Sequence, residues 1–197
     1  MIARAKDTRL APLEPPYDPA IARTLERMMG GMGAEPLKLF RTVAHNPHLL
    51  DKLRSTGSYL LNFGTLEPAD RELVILRTCA RCGSEYEWGV HVAIFSEAAA
   101  LDAQTVAATA AAEPGDPVWS DRQRALVSLV DQLNDAASVT DDLWQELAAG
   151  WTPAQLVELA TLVGQYHTVS FLTNAFAIEL EDFGTRFPSR DAGGASP

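Results

Sequence analysis

Residues 71–91 read RELVILRTCARCGSEYEWGVH, and this stretch gathers both of the chain's cysteines with Glu72, Tyr86, Glu87 and His91. Leu73, Leu76 and Ala80, with Leu66 upstream, give one helix an apolar face. Gly83 breaks the pattern, and Ser84 with Glu87 three residues on has the form of a capping box that opens a second helix. On the first helix Glu72 and Cys79 are seven apart and share a face. On the second, Ser84, Glu87 and His91 fall at i, i+3 and i+7. The spacing predicts an acid, thiol and imidazole cluster where the two helices meet. A reversal at Gly83 lays them side by side. At about 1.5 Å per residue, Glu72 before the turn and His91 after it then differ by about one helical turn in height, which predicts hydrogen-bonding reach between them.

Working outward, the chain is a series of helices announced by their caps. Residues 1–17, with Pro12, Pro15 and Pro16, read as an extended arm that wraps the body or a neighbouring subunit. Asp18-Pro19 opens a helix that runs to about Met29 and ends at Gly30, Gly31 and Gly33. Pro36 starts a short helix through Phe40, and Asn46-Pro47 opens another that lasts until Gly64. Thr65 is placed to cap the first central helix, with Glu67 and Asp70 in its first turn where the macrodipole favours them. Leu101-Asp102 restarts the chain into an alanine-rich helix that stops before Glu113-Pro114-Gly115-Asp116-Pro117. Beyond that loop Ser120 with Gln123, Thr140, and Thr152 with Pro153 and Gln155 begin three more helices. The last, running to about Leu180, is apolar all round, which predicts a place in the middle of the core or in a subunit interface. Residues 187–197 read as a disordered tail, leaving 18–186 as a single helical domain.

Composition narrows the function. A chain of 197 residues with 47% hydrophobic content buries one sizeable core. A formal charge of −10 argues against nucleic-acid or anionic-membrane partners. Two cysteines make no disulfide framework, the first residues lack the apolar core of a signal peptide, and no apolar run nears the roughly 20 residues that span a bilayer. The expectation is a cytoplasmic protein, where a disulfide is transient. His45 and His48 flank Asn46-Pro47 without a third ligand nearby, so they read as capping or surface residues and no metal site is expected.

A short, gapped internal echo relates Glu67-Pro68-Ala69-Asp70-Arg71-Glu72-Leu73-Val74 to Thr152-Pro153-Ala154-Gln155-Leu156-Val157, and Gly83-Ser84-Glu85-Tyr86 to Gly164-Gln165-Tyr166. As a true repeat it implies two related helical hairpins about a pseudo-twofold, with His167 brought near the central stretch.

The run Arg71-Glu72-Leu73-Val74-Ile75-Leu76, followed by Cys82-Gly83-Ser84-Glu85-Tyr86-Glu87-Trp88 and His91, resembles the carboxymuconolactone decarboxylase family, whose fold is shared with the alkylhydroperoxidase D (AhpD) proteins. Pro12-Leu13-Glu14-Pro15-Pro16-Tyr17 and Gly164-Gln165-Tyr166-His167 extend the resemblance over most of the chain. It implies an all-α, AhpD-like bundle of related helical hairpins that assembles as a homo-oligomer. The family's peroxidase branch carries a Glu, a Cys-x-x-Cys pair and a His. Residue by residue, Glu72 and His91 match the Glu and the His, while the two cysteine positions fall on Ser84 and Glu87. The chain's own pair, Cys79 and Cys82, lies upstream of the helix break.

That displacement matters physically. A thiol at a helix N-terminus is acidified by the dipole, whereas Cys79 and Cys82 are expected in the last turn of a helix, where the dipole favours cations. Arg77 and Arg81 partly compensate, and an i, i+3 pair can close a disulfide at a helix end. Two small buried apolar residues are the plain alternative. His91 with Glu72 reads as a general acid/base near neutrality, Tyr86 as a donor to a developing oxyanion, and Glu87, Trp88 and His167 as substrate contacts. The expected activity is decarboxylase- or lyase-type chemistry on a small carboxylated or cyclic compound, with neither metal nor organic cofactor. A thiol-dependent hydroperoxide reductase cycling Cys82 and Cys79 is the alternative. A non-catalytic helical binding or assembly module is the third reading.

Overall fold

The computed structural model describes residues 7–29 and 35–189, and these are all-helical. The expected end of the first helix at Gly30, Gly31 and Gly33 lies outside the described residues, as do residues 190–197 of the tail. Among the described residues nine helices follow in order: α1 (Pro19–Met28), α2 (Lys38–Val43), α3 (Pro47–Asn62), α4 (Pro68–Arg81), α5 (Glu85–Phe95), α6 (Ala103–Ala111), α7 (Asp121–Ala136), α8 (Asp141–Gly150) and α9 (Pro153–Ala175).

Most starts obey local chemistry. Asp18, Asn46, Asp102, Ser120, Thr140 and Thr152 each turn a side-chain oxygen onto a first-turn amide. Ser120 with Gln123 and Thr152 with Gln155 complete reciprocal capping boxes, satisfying two otherwise orphaned donors each. Two starts depart from the sequence reading. Glu67, not Thr65, is the N-cap of α4, with Pro68 in the first turn. Thr65 instead gives its N–H and hydroxyl to Glu158 of α9. Helix α2 begins at Lys38, two residues after Pro36.

Helix α4 is the axis of the molecule, packing against α5, α6, α7 and α9. Its Leu73, Val74, Ile75 and Leu76 are all essentially excluded from solvent, as a helix enclosed on all sides requires. Around it Trp88, Leu126, Val130, Leu159 and Leu162 fill the larger core. The carbonyl ends of α6 are tied to this axis by Arg77, which donates to Thr109 O and Ala112 O and forks onto both oxygens of Asp131 on α7.

A second core joins Leu25, Leu39, Leu50, Tyr86 and Val90, with Leu13 and Tyr17 of the arm packed on it. The arm lies along its own body: Arg9 N–H donates to Phe176 O, Leu13 N–H to Arg41 O, and Arg41 pairs with Glu14. At the other end of the chain Thr185 N–H donates to Gly89 O. A β-carbon at Gly89 would collide with the Thr185 carbonyl, so only glycine lets the two backbones close. Phe187, read as the start of a loose tail, packs on the Trp88 ring with centroids 5.1 Å apart.

Helix α9 ends at Ala175, before the expected Leu180, with Ala177 just beyond it at φ +49°. It is not enclosed like α4. Leu159, Leu162, Val163, Tyr166, Val169, Ser170 and Thr173 turn inward, while Val157 and Phe171 are 69% and 62% exposed.

Candidate active site

Gly83 has φ +63°, the left-handed conformation of a helix-ending glycine, and Ser84 N–H returns to Cys79 O at 2.8 Å. The chain reverses there, and α4 and α5 lie side by side. Glu72 on α4 and His91 on α5 are thereby brought together, with Glu72 Oε2 2.7 Å from His91 Nδ1. The two residues are 1% and 3% exposed.

Each end of the pair is held. Arg71 Nε donates to Glu72 Oε1 at 3.0 Å, while its Nη1 donates to Leu61 O. His91 Nε2 faces the Tyr166 hydroxyl of α9 at 3.0 Å and Glu87 Oε1 at 3.5 Å. Phe95, one turn beyond His91 and half-buried, lies on the imidazole with centroids 4.8 Å apart. Arg71 and Phe95 thus bring the pair within one side chain of solvent.

The electrostatics follow from this enclosure. Burial alone would push His91 down, but the charge and hydrogen bond of Glu72, then those of Glu87, outweigh it and push the imidazole up to about 9. Burial alone would push Glu72 up, and His91 with Arg71 outweighs it, holding the carboxyl below its ordinary value. At neutral pH the pair is carboxylate and imidazolium. Nδ1–H donates to Glu72, and Nε2–H is available to the Tyr166 oxygen, to Glu87, or to a substrate.

Ser84 and Glu87 do not form the capping box their spacing suggests. Ser84 is the N-cap residue of α5, yet its side chain makes no capping bond; its hydroxyl lies 2.8 Å from that of Thr173 on α9. Glu87 turns to His91, and its Oε2 is buried without a partner. Ser84 thus prefers a partner on another helix, and Glu87 one a turn further along its own.

The two thiols flank this cluster. Cys79 is fully buried near Glu87, and Cys82 is half-buried at the C-terminal cap of α4. Burial, then the Glu87 charge, pushes the Cys79 thiol well up, and burial pushes Cys82 up as well. The Ser170 hydroxyl lies beside both sulfurs without a well-formed hydrogen bond.

Three residues expected at the site lie elsewhere. The Tyr86 hydroxyl accepts from Leu39 N–H and donates to Glu181, tying α5 to α2 and to the segment after α9. Trp88 donates to the Thr109 hydroxyl inside the core. His167 contacts Val163 O and Asn134 Oδ1, pointing toward α7. The α9 side chain that reaches His91 is its neighbour Tyr166. Of the other histidines, His45 Nε2 contacts Ala11 O of the arm, and His48 is exposed. Among the described residues no three His, Cys, Asp or Glu side chains are grouped to hold a metal, and no helix is long and apolar enough to cross a membrane.

Residues 47–132, which include the whole α4–α5 hairpin, match the model of the carboxymuconolactone decarboxylase family. No curated protein matches the chain by sequence. Among solved structures, an uncharacterized peroxidase-related protein from Silicibacter sp. TM1040 superposes with a TM-score of 0.74 at 16% identity, over 95% of this chain and 100% of that one. The alkylhydroperoxidase AhpD core of a peroxidase-related protein from Ralstonia eutropha JMP134 gives 0.70 at 16% identity, over 88% and 93%. The debrominase Bmp8, solved as a cysteine variant in complex with 2,3,4-tribromopyrrole, gives 0.71 at 14% identity, over 91% and 95%. At these identities the structures speak for the fold alone, which is AhpD-like, and over residues 47–132, with the hairpin that carries the cluster, the chain is similar to the carboxymuconolactone decarboxylase family.

Proposed function

We propose that the chain is an enzyme of proton-transfer chemistry on a small carboxylated or cyclic compound, with Glu72 and His91 as its acid/base pair and no metal or organic cofactor. The observation that carries this reading is the 2.7 Å contact between Glu72 Oε2 and His91 Nδ1 in an almost completely buried setting. A carboxylate that fixes one imidazole nitrogen leaves the other aimed and charged for proton delivery. In a decarboxylation, the carbon–carboxylate bond breaks and its electron pair passes to the adjacent unsaturated system. His91 Nε2 supplies the proton that completes the new C–H bond, and solvent returns one to the imidazole. Tyr166, whose hydroxyl lies on Nε2, yields its place to the substrate. Arg71, half-buried beside Glu72, is the cation nearest to a substrate carboxylate.

The second reading, a thiol-dependent hydroperoxide reductase, is favoured by one observation: Cys79, Cys82 and the Ser170 hydroxyl share the edge of the same cluster. There the Cys82 thiolate would cleave the O–O bond to give an alcohol and a sulfenic acid. Cys79 would then close the disulfide with loss of water, and an external dithiol would reset the pair. The raised pKa of both thiols works against this.

The deciding experiment runs a panel of small carboxylated lactones, followed by CO2 release, beside organic hydroperoxides with a dithiol reductant. Acid/base chemistry predicts that His91→Ala lowers kcat/KM by about 10²–10⁴-fold. Cys79→Ser and Cys82→Ser then stay within about tenfold of the parent, a barrier change under about 1.4 kcal/mol. A peroxidase inverts that order. No turnover on either panel, with a fold indifferent to His91→Ala, assigns a binding module instead.

A further inference from the structure

Helix α9 is buried on one side only, and its other side is unlike the rest of a chain in which 21% of residues are charged. Val157, Thr161, Gly164, Thr168 and Phe171 recur at alternating steps of four and three and are all exposed, which makes them one stripe along the helix. Across its 23 residues α9 carries a single Asp, Glu, Lys or Arg, Glu158, and that one is buried against Thr65. Residues 55–66, on and just after the neighbouring α3, carry none, and Tyr59 and Phe63 stand exposed there. Between the two helices lies a cleft of about 150 Å³, which Tyr59, Leu60, Ala154 and Val157 line together with three threonines and Glu158. The hydroxyls of Thr65 and Thr161 are engaged by Glu158 and by Val157 O, so neither needs a partner in the cleft. A cavity of about this size holds one benzene ring.

We infer that two copies of the chain pair through this face about a twofold axis, the two α9 helices lying antiparallel and crossing at Gly164, so that Phe171 of each copy enters the α3–α9 cleft of the other. Spacing, charge and area each single out a second copy as the partner. Val157 lies seven residues before Gly164 and Phe171 seven after it, about 10 Å each way along the axis. Antiparallel pairing centred on Gly164 therefore sets the ring of one copy level with Val157 and the cleft of the other, twice over, as a self-complementary interface requires. Nothing lies within 4 Å of where a Gly164 β-carbon would be, and a glycine at the crossing lets two helix backbones approach closely. Each copy carries a net charge of −10, so two copies repel across any acidic surface. This face is free of that charge, as the centres of interfaces are. A helix of this length is about 35 Å long and about 10 Å across, and with the uncharged end of α3 beside it the face outlines roughly 500 Å² on each copy. The pair thus covers about 1,000 Å² before the relief of the side chains is counted, the level that a specific interface must clear.

The test is disulfide trapping at micromolar concentration in the full chain carrying Cys82→Ser, whose remaining thiol, Cys79, is buried. Gly164→Cys lies on the proposed axis, within the reach a disulfide demands, and should give a covalent dimer on mild oxidation. Val157→Cys, about 20 Å from its counterpart in the antiparallel pair, should give none, while Val157→Cys and Phe171→Cys in one chain should give it again. Thr161→Arg sets a charge at the edge of the cleft on an exposed position. It should lower the sedimenting mass without changing the helical circular dichroism, and it decides the matter should Gly164→Cys not fold. A single-chain mass for the parent, no trapping through a folded Gly164→Cys chain, trapping through Val157→Cys alone, or a mass unmoved by Thr161→Arg overturns the inference.

Discussion

Glu72 Oε2 and His91 Nδ1 meet at 2.7 Å across the Gly83 turn, nineteen positions apart in the chain and both buried. The contact ties folding to pH. The folded chain holds a proton on His91 up to about pH 9, whereas the ordinary imidazole value is 6.5. A raised folded value means that this contribution to stability is complete below about pH 6.5 and is lost as pH rises through about 9. At about 1.36 kcal/mol per pKa unit, the whole span is worth roughly 3 kcal/mol. Glu72 runs the other way: its lowered folded value gives stability that is present above 4.5 and lost as pH falls through that lowered value. Urea denaturation at about pH 6, 7.5 and 9 should show the parent chain weakening toward alkali. His91→Gln should remove most of that slope, and a parent curve flat across the range would dismiss the imidazolium assignment.

The turn that makes this contact possible rests on Gly83. Nothing lies within 4 Å of where its β-carbon would be, so the demand is the φ of +63° and not space. Gly83→Ala should cost about 1–2 kcal/mol, the left-handed penalty of an L-residue, and branched Gly83→Val more. Gly83→Asn should be the mildest. Equal stability of all three by chemical denaturation would show that the backbone relaxes at no cost.

These two residues were legible because the rules that place them are local. A helix-ending glycine, proline after Asp18 or Asn46, and Gln three residues after Ser120 or Thr152 each act within one turn of chain. Legibility fails where a side chain has a competing distant partner. Ser84 has capping-box spacing with Glu87, yet Thr173 on α9 claims its hydroxyl, which frees Glu87 for His91 one turn along their shared helix. Thr65 precedes a helix, yet Glu158 takes both its donors. On α9 the apolar residues on every side hid the inward face, and His167 was chosen over Tyr166. The stripe Leu159, Leu162, Val163, Tyr166, Val169, Ser170 and Thr173 runs at helical spacing, and it would have selected Tyr166, about 100° away around the helix. Arg71 as a partner of Glu72 had no such signal, since adjacent residues on a helix do not ordinarily face one another.

Tyr86 offers a separation of structural from catalytic roles. Its hydroxyl is engaged by Leu39 N–H and Glu181, and burial, then the Glu181 bond and charge, pushes its pKa far up. Tyr86→Phe leaves a buried amide and a carboxylate oxygen short of a partner, which should cost about 1–3 kcal/mol. Below the melting transition, kcat on the substrate found by the panel should be unchanged. A loss of kcat without a loss of stability would return Tyr86 to the catalytic group.

The outward face of α9 leads to a prediction about assembly. Val157 and Phe171 are 69% and 62% exposed on it, and Phe63, at the end of the adjacent α3, is 71% exposed. Exposed apolar side chains of this size on two packed helices are what an interface between copies would cover. Sedimentation at micromolar concentration should return a mass greater than one chain, and Phe171→Glu should lower it. A single-chain mass for the parent protein would rule out the homo-oligomer.

The thiols give the sharpest contrast between the two chemical readings. Cys79 has no exposed surface, with burial and the Glu87 charge both opposing its thiolate. Cys82 is half-buried and raised chiefly by burial, with Ser170 and then Arg81 offsetting only part of that. It also occupies the C-terminal cap of α4, where the partial negative charge of the helix end disfavours an anion. With the reactive species scarce at neutral pH, a chromogenic disulfide reagent should modify Cys82 slowly at about pH 7 and faster as pH rises. Cys79 should react only after denaturation. Loss of one thiol in the folded state, with the second released by urea, is the pattern expected of an acid/base enzyme that carries two bystander cysteines. Rapid consumption of both thiols at neutral pH, or closure of a Cys79–Cys82 disulfide by one equivalent of hydroperoxide, would transfer the chemistry from His91 to sulfur.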